Sequence, residues 1–240
     1  MKTPAMQSAT AVTKMSLLSA PATLPRKRIL LVDDHPFMRA GLAGLIERQP
    51  DLMVCGEAGN PSEAFHELQR SKPDLVLTDL TMPGRSGLEF IKDLLATEPK
   101  LTVLVISMHD EVVQAERALR AGARGYIMKE AGGENLLAAI RQVLRGEVYV
   151  SPRMSARILE NLSGAKPRGS SSPIGKLTDR EFEVFQLIGQ GKSTRDIAGQ
   201  LHLSTKTVDV HRSHIKEKLE LKDVTALIRH AVRWVETQGE

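Results

Sequence analysis

A doubly wound α/β domain on a five-stranded parallel sheet, followed by a second, all-helical domain of four helices, is the fold class that these 240 residues predict. Three observations carry that reading. Short apolar runs alternate with longer amphipathic ones from Ile29 onward; the stretch Gly164–Gly175, rich in Gly, Ser, Pro and Lys, has almost nothing to bury; and every periodic segment after it has helical spacing. The chain divides accordingly into a disordered extension over 1–28, the α/β domain over 29–146, a linker over 147–176 and the helical domain over 177–238.

Ile29–Val32 is an unbroken apolar run of strand length, and Pro36 suits the first turn of a helix through Gln49 with Phe37, Leu42, Leu45 and Ile46 on its apolar side. Leu52–Cys55 reads as the second strand and Ser62–Gln69 as the second helix, with Ala64, Phe65 and Leu68 inward. Leu75–Leu77 follows as a strand and leads through Met82-Pro83-Gly84 into a helix about Leu88–Leu95. Thr102–Ser107 and Gly125–Met128 complete the strands, trailed by helices over Glu111–Ala121 and Asn135–Leu144. Strands this apolar need cover on both faces, which helices on either side of a parallel sheet provide. Arg153–Leu162 reads as a short helix after the domain, and Asp179–Ile188, Thr194–Leu201, Thr205–Leu219 and Val224–Val235 as the four helices of the second domain.

Charge is unevenly placed. The net +4 resolves into 5 basic and no acidic residues over 1–28, 13 basic against 17 acidic over 29–145, and 15 against 12 over 146–240, so only the last part suits a polyanion. The lone cysteine, Cys55, has no internal disulfide partner and sits in an apolar stretch, as a small core residue does; that usage suits a reducing cytoplasm. No apolar run approaches the roughly 18 residues of a bilayer span, so no membrane partner is expected.

In open parallel sheets, ligands gather beyond the C-terminal ends of the strands. Reading each run to its end brings Asp33 and Asp34 after the first strand, Asp79 after the third, Ser107 at the end of the fourth and Lys129 after the fifth. Neighbouring carboxylates repel, and a hard divalent cation such as Mg²⁺ offsets that cost. Asp79 can then attack a phosphoryl group as a carboxylate nucleophile while Mg²⁺ and the Lys129 ammonium neutralise the transferred oxygens and Ser107 donates a hydrogen bond. Taken singly, each Asp suits a helix cap or turn equally well. Taken together, the five residues favour one shared site.

The stretches ILLVDDHPFMRAGL, DLVLTDLTMPGRSGLE, VISMHD and GARGYIMKE resemble the receiver domain of two-component response regulators over about residues 29–145. The resemblance implies phosphotransfer from a sensor histidine kinase to Asp79, with Mg²⁺ bound by Asp34 and Asp79, Asp33 nearby and the Thr81 carbonyl contributing. It also implies the conserved-lysine role for Lys129, a hydroxyl switch at Ser107, and dimerisation through the surface around Glu111–Ala121. Tyr126 keeps two readings, a ring that moves with Ser107 and a half-buried strand residue. Glu130 stands where many receivers carry proline, a departure often seen in receivers joined to this kind of helical domain.

In the last part, Thr178 and Glu181 have capping-box spacing, Phe182, Phe185 and Ile188 form an apolar stripe, and Gly189 and Gly191 can turn the chain. Ser204 is placed to cap the helix Thr205–Leu219, whose Val208, Ile215 and Leu219 face inward while Lys206, Asp209, Val210, Ser213 and Lys216 project. A helix fits the DNA major groove, lysines give salt-dependent phosphate affinity, and Asp209, Val210 and Ser213 can discriminate bases. Asp209 serves equally well as a cytosine acceptor or as a local partner of Lys206, Arg212 or Ser213. The LTxRE and GxSxxxIAxxLxLSxxTVxxHxxxIxxKL patterns resemble the LuxR or NarL type effector domain over about residues 176–238. That resemblance implies a helix-turn-helix reading double-stranded DNA through Thr205–Leu219. It assigns groove-facing positions to Asp209, Val210 and Ser213, phosphate contacts to Arg195, Thr207 and Lys218, and dimer support to Val224–Val235. Val224, Leu227, Ile228, Ala231 and Val235 can instead close the small core.

The expectation is a cytoplasmic transcription regulator, not an enzyme beyond slow self-dephosphorylation, that pairs on adjacent half-sites when phosphorylated, with RNA polymerase as a further candidate partner. Before phosphorylation the two domains would sit together and mask Thr205–Leu219. Two alternatives remain: a phosphorylation-independent DNA-binding regulator whose receiver serves protein interaction, and an aspartyl-phosphate hydrolase. The second lacks an acid two residues after Asp79, where Thr81 stands.

Overall fold

The computed structural model describes residues 25–82, 86–108, 111–162, 173–201 and 203–238. The expected N-terminal extension lies outside them up to residue 24, as does the linker over 163–172. Five parallel strands, β1 (Lys27–Val32), β2 (Leu52–Ala58), β3 (Leu75–Thr78), β4 (Thr102–Ser107) and β5 (Gly125–Met128), lie in the order β2-β1-β3-β4-β5. Helices α1 (Pro36–Glu47), α2 (Pro61–Ser71), α3 (Gly87–Thr97), α4 (Glu111–Arg120) and α5 (Gly133–Leu144) follow them in turn.

Two apolar layers hold this domain. One face of the sheet packs Ile29, Leu31, Leu77, Leu104 and Ile127 against α1 and α5; the other packs Leu30, Val76, Val103 and Tyr126 against α2, α3 and α4. On α1 the inward stripe is Met38, Leu42, Leu45 and Ile46, at helical spacing, and this corrects the expectation for Phe37. One residue out of phase, Phe37 is 95% exposed.

After α5 the chain returns to the sheet before leaving it. Tyr149 bridges Gly125 in parallel, accepting from the Tyr126 N–H at 2.9 Å and donating to the Arg124 carbonyl at 3.0 Å. Helix α6 (Pro152–Leu162) then lays Met154 into the core beside α4. With that cover over β5, Tyr126 is fully buried and not half-exposed as one reading had it.

A short 3-10 turn, Pro173–Lys176, leads into the second domain, and its Ile174 is buried in that domain's core, so the end of the Gly164–Gly175 stretch does bury an apolar side chain. Helices α7 (Asp179–Gly189), α8 (Thr194–Gln200), α9 (Thr205–Lys218) and α10 (Val224–Gln238) follow. The capping box of Thr178 and Glu181 forms, and a second joins Ser193 with Asp196. Phe182 and Phe185 pack on Trp234 with ring centroids 5.4 and 5.8 Å apart. On α10 the core stripe is Leu227, Ala231 and Trp234; Val224 and Ile228 lie off it and are exposed, against their reading as core closers.

Candidate functional site

Strands β1 and β3 are neighbours with Val32 opposite Thr78, so the residues after them emerge side by side. The ladder continues one step: Asp33 N–H donates to Ala58 O at 3.1 Å and Asp79 N–H to Val32 O at 2.9 Å. Both carboxylates are thereby fixed at the strand ends. Lys129, just past β5, donates from Nζ to Asp33 Oδ2 at 2.8 Å and to Asp79 Oδ2 at 2.7 Å, with all three side chains buried. The Thr81 N–H donates to Asp79 Oδ1 at 3.0 Å, and the His35 N–H to Asp33 Oδ1 at 2.8 Å.

Ligand atoms of Asp33, Asp34, His35 and Asp79 all lie within 4.8 Å of one another. Asp34 Oδ1 is buried and accepts no hydrogen bond, and His35 Nδ1 lies 2.8 Å from it. Carboxylate oxygens with uncommitted lone pairs in one place are the donor set that a hard divalent cation takes, so these residues fit Mg²⁺. Burial pushes the Asp79 carboxyl above its usual range, against the Lys129 and Thr81 donors that favour the anion. Burial also pulls at Lys129, but Asp33 and Asp79 outweigh it and hold its ammonium above the usual lysine range.

Of the other residues expected here, Ser107 is fully buried at the end of β4, where it pairs with Met128. Thr81 is exposed on the loop after Asp79. Sequence reasoning did not single out His35 or Arg39. His35 was legible as the residue before Pro36 at the start of α1; Arg39, which donates to the Asp33 carbonyl at 2.6 Å, carried no signal beyond lying one turn further along.

In the second domain the Ser204 hydroxyl accepts from Thr207 N–H at 3.0 Å and starts α9 in register, so that Val208, Ile215 and Leu219 are buried. Lys206, Asp209, Val210 and Ser213 are exposed, and Lys216 is half-buried. The side-chain pairing expected as one role for Asp209 is not formed: Arg212 donates to Thr194 Oγ1, and Ser213 donates to the Asp209 backbone carbonyl at 3.0 Å. Of the residues assigned to phosphate, Arg195 is exposed, the Thr207 hydroxyl lies 2.7 Å from Ser204 Oγ, and Lys218 donates to Glu181 at 2.6 Å. Burial, then Arg180, lowers the His211 imidazole below its usual range on the half-buried face of α9.

The two domains touch through α3 and α4 on one side and α7 on the other. The outward face of α9 is exposed all the same, so this contact does not mask it as expected.

An acidic pocket at the C-terminal edge of a parallel five-stranded sheet, tied to a helix-turn-helix with an exposed second helix, defines a DNA-binding two-component response regulator. Comparison bears this out. Residues 29–141 match the response regulator receiver domain, and residues 175–231 match the bacterial regulatory proteins of the luxR family. The oxygen regulatory protein NreC of Staphylococcus carnosus is 34% identical over 210 residues, covering 86% of this chain and 97% of NreC. A LuxR-family response regulator from an Aurantimonas species, of known crystal structure, is 36% identical with a TM-score of 0.54, over 57% of this chain and 99% of that one. The RcsB response regulator of Salmonella typhimurium shares the fold across both domains, at 23% identity and a TM-score of 0.66 over 88% of this chain and 98% of RcsB. The chain belongs to the LuxR-type response regulators.

Proposed function

We propose that Asp79 accepts a phosphoryl group from a sensor histidine kinase and that its phosphorylation promotes paired binding of the helix-turn-helix domain to promoter DNA. The observation that carries this reading is the Lys129 ammonium bridging Asp33 and Asp79 beside Asp34, with one Asp34 oxygen uncommitted. Asp33, Asp34, Asp79 and the Thr81 carbonyl would hold Mg²⁺, which supplies charge neutralisation for the phosphoryl oxygens.

Asp79 forms the new O–P bond as the donor's N–P bond breaks and its imidazole leaves. The Thr81 N–H and Lys129 orient the attacking carboxylate, and Lys129 then follows the negative charge outward onto a phosphoryl oxygen. Ser107 sits one strand over, where its hydroxyl can donate to another of these oxygens. Exposed His35, beside Asp33 and Asp34, offers a donor protein a first contact at the pocket.

On the DNA side, Lys206 and Arg195 supply phosphate contacts, Asp209, Val210 and Ser213 face the groove, and Thr207, Lys216 and Lys218 border it. Val224 and Ile228, one turn apart and exposed on α10, give a second copy an apolar strip to pair with. Among the described residues no helix is long and apolar enough to cross a membrane, and the cytoplasm, where kinase domain and promoter are both at hand, is the location we assign.

The test is intact mass after incubation with acetyl phosphate and Mg²⁺. The wild-type chain should gain one hydroxylamine-labile phosphate and Asp79→Asn none. Equal labelling of both chains, or of neither, contradicts the assignment.

A further inference from the structure

Arg39 reaches back from the first turn of α1 to the chain that carries the acidic pair. Its Nη1 donates to the Asp33 backbone carbonyl at 2.6 Å, and its Nε donates to Glu57 Oε2 at 3.0 Å. Glu57 lies near the end of the edge strand β2, opposite Leu31 of β1. One guanidinium thus joins α1, the end of β1 and the end of β2. Its side chain is 20% exposed, and Glu57 balances its charge, so the contact adds no unpaired cation beside a pocket that takes a metal ion.

The contact bears on Asp34. The Asp33 carbonyl and the Asp34 N–H belong to one planar peptide unit, so holding that carbonyl holds the direction in which the Asp34 side chain leaves the backbone. The Asp33 carboxylate has anchors of its own, accepting from the His35 N–H and from Lys129 Nζ, each at 2.8 Å. Asp34 lacks them: its Oδ1 is buried and accepts no hydrogen bond, and the His35 ring beside it is 68% exposed. The placement of this carboxylate therefore falls to its backbone, and Arg39 is the side chain that fixes that backbone. Mg²⁺ demands near-octahedral geometry with oxygens at about 2.0–2.1 Å, and so tolerates little drift in a ligand.

We propose that Arg39 is a positioning residue for the divalent cation, setting the Asp33–Asp34 peptide so that the Asp34 carboxylate meets the ion beside Asp79. This rests on the reading of Asp33, Asp34 and Asp79 as the residues that hold Mg²⁺. Arginine suits the task because its planar fork serves a carbonyl and a carboxylate at once in fixed directions, whereas a lysine ammonium is a point charge on a flexible stem. Groups that orient metal ligands without touching the metal typically carry about 10–100-fold in affinity. A clamp on one of three carboxylates belongs at the lower end of that range, about tenfold.

The experiment uses full-length wild type, Arg39→Ala and Arg39→Lys, each shown by circular dichroism in EDTA to be folded at the working temperature. Calorimetry with Mg²⁺ alone gives the affinity, and intact mass against time with acetyl phosphate over a range of Mg²⁺ gives the half-saturating concentration and the maximal rate. Arg39→Ala should bind Mg²⁺ about tenfold more weakly and need about tenfold more for half-saturation, with a maximal rate near that of wild type. Arg39→Lys should fall between the two, and it carries the comparison if the alanine variant does not fold. Wild-type Mg²⁺ affinity in the folded variants overturns the proposal, as does a loss of maximal rate with the affinity unchanged. If wild type itself takes up no Mg²⁺, it is the assignment of the three carboxylates that fails, and the role of Arg39 falls with it.

Discussion

Replacing Glu181 by alanine should unfold the DNA-binding domain at markedly lower temperature. Glu181 is 3% exposed, and one of its oxygens accepts from Thr178 N–H at 2.8 Å and from Lys218 Nζ at 2.6 Å, joining the start of α7 to the end of α9. Losing the capping box costs about 1 kcal/mol. A hydrogen bond to a charged group contributes about 1.5–3 kcal/mol; because Lys218 is 35% exposed, water replaces part of it and about 1 kcal/mol is the fitting share. A total of about 2 kcal/mol in a domain of this size lowers the midpoint by about 8–16 °C. The fluorescence of Trp234, the chain's one tryptophan, reports this domain because the indole packs on Phe182 and Phe185. Burial pushes the Glu181 carboxyl up, but the Lys218 and Thr178 donors outweigh it and hold it below the usual glutamate range. Its stabilisation is therefore complete above the unfolded pKa, roughly 4.3, and vanishes as pH falls through the folded value. Wild type and Glu181→Ala should differ most at neutral pH and converge in acid. Equal midpoints at pH 7, or a gap that widens in acid, would refute the reasoning.

Other substitutions separate packing from recognition. A methyl group at Gly189 would lie 2.5 Å from the Ala231 carbonyl oxygen, so Gly189→Ala should cost about 1–3 kcal/mol in the same Trp234 melt by forcing α7 and α10 apart. Lys206→Ala should weaken DNA binding evenly across sequences and reduce the slope of log affinity against log salt by about 1, as measured by anisotropy titration. Ile228→Glu should leave the melt unchanged while reducing affinity for a paired site far more than for a half-site, because the side chain is exposed on α10.

The strands, their order of chemistry and the acidic cluster were legible because each rests on local pattern: an apolar run ends, and a carboxylate or lysine follows. Asp33, Asp79 and Lys129 meet because the parallel order β2-β1-β3-β4-β5 aligns those ends. What escaped was phase and long-range closure. Phe37 counts as apolar in any window, and only the alignment of Met38, Leu42, Leu45 and Ile46 shows that it points outward. Tyr126 was left ambiguous because nothing local says that Tyr149 returns to cover β5. For Val224 and Ile228 the sequence leaves core closure open beside dimer support, because only the folded stripe of Leu227, Ala231 and Trp234 shows that they lie off the core. Arg39 gives no local sign of its role; one partner, Glu57, lies 18 residues away on another strand, and the other is a backbone carbonyl, which no side-chain pattern registers.

Paired titrations of operator DNA test the central claim most directly. Wild type loaded with phosphate, wild type without it, and Asp79→Asn exposed to the same donor would each be titrated onto a two-half-site promoter fragment, with oligomeric state followed by sedimentation. Phosphate-loaded wild type should bind more tightly and populate the dimer, with the other two samples indistinguishable. Identical binding and sedimentation for all three would contradict the account.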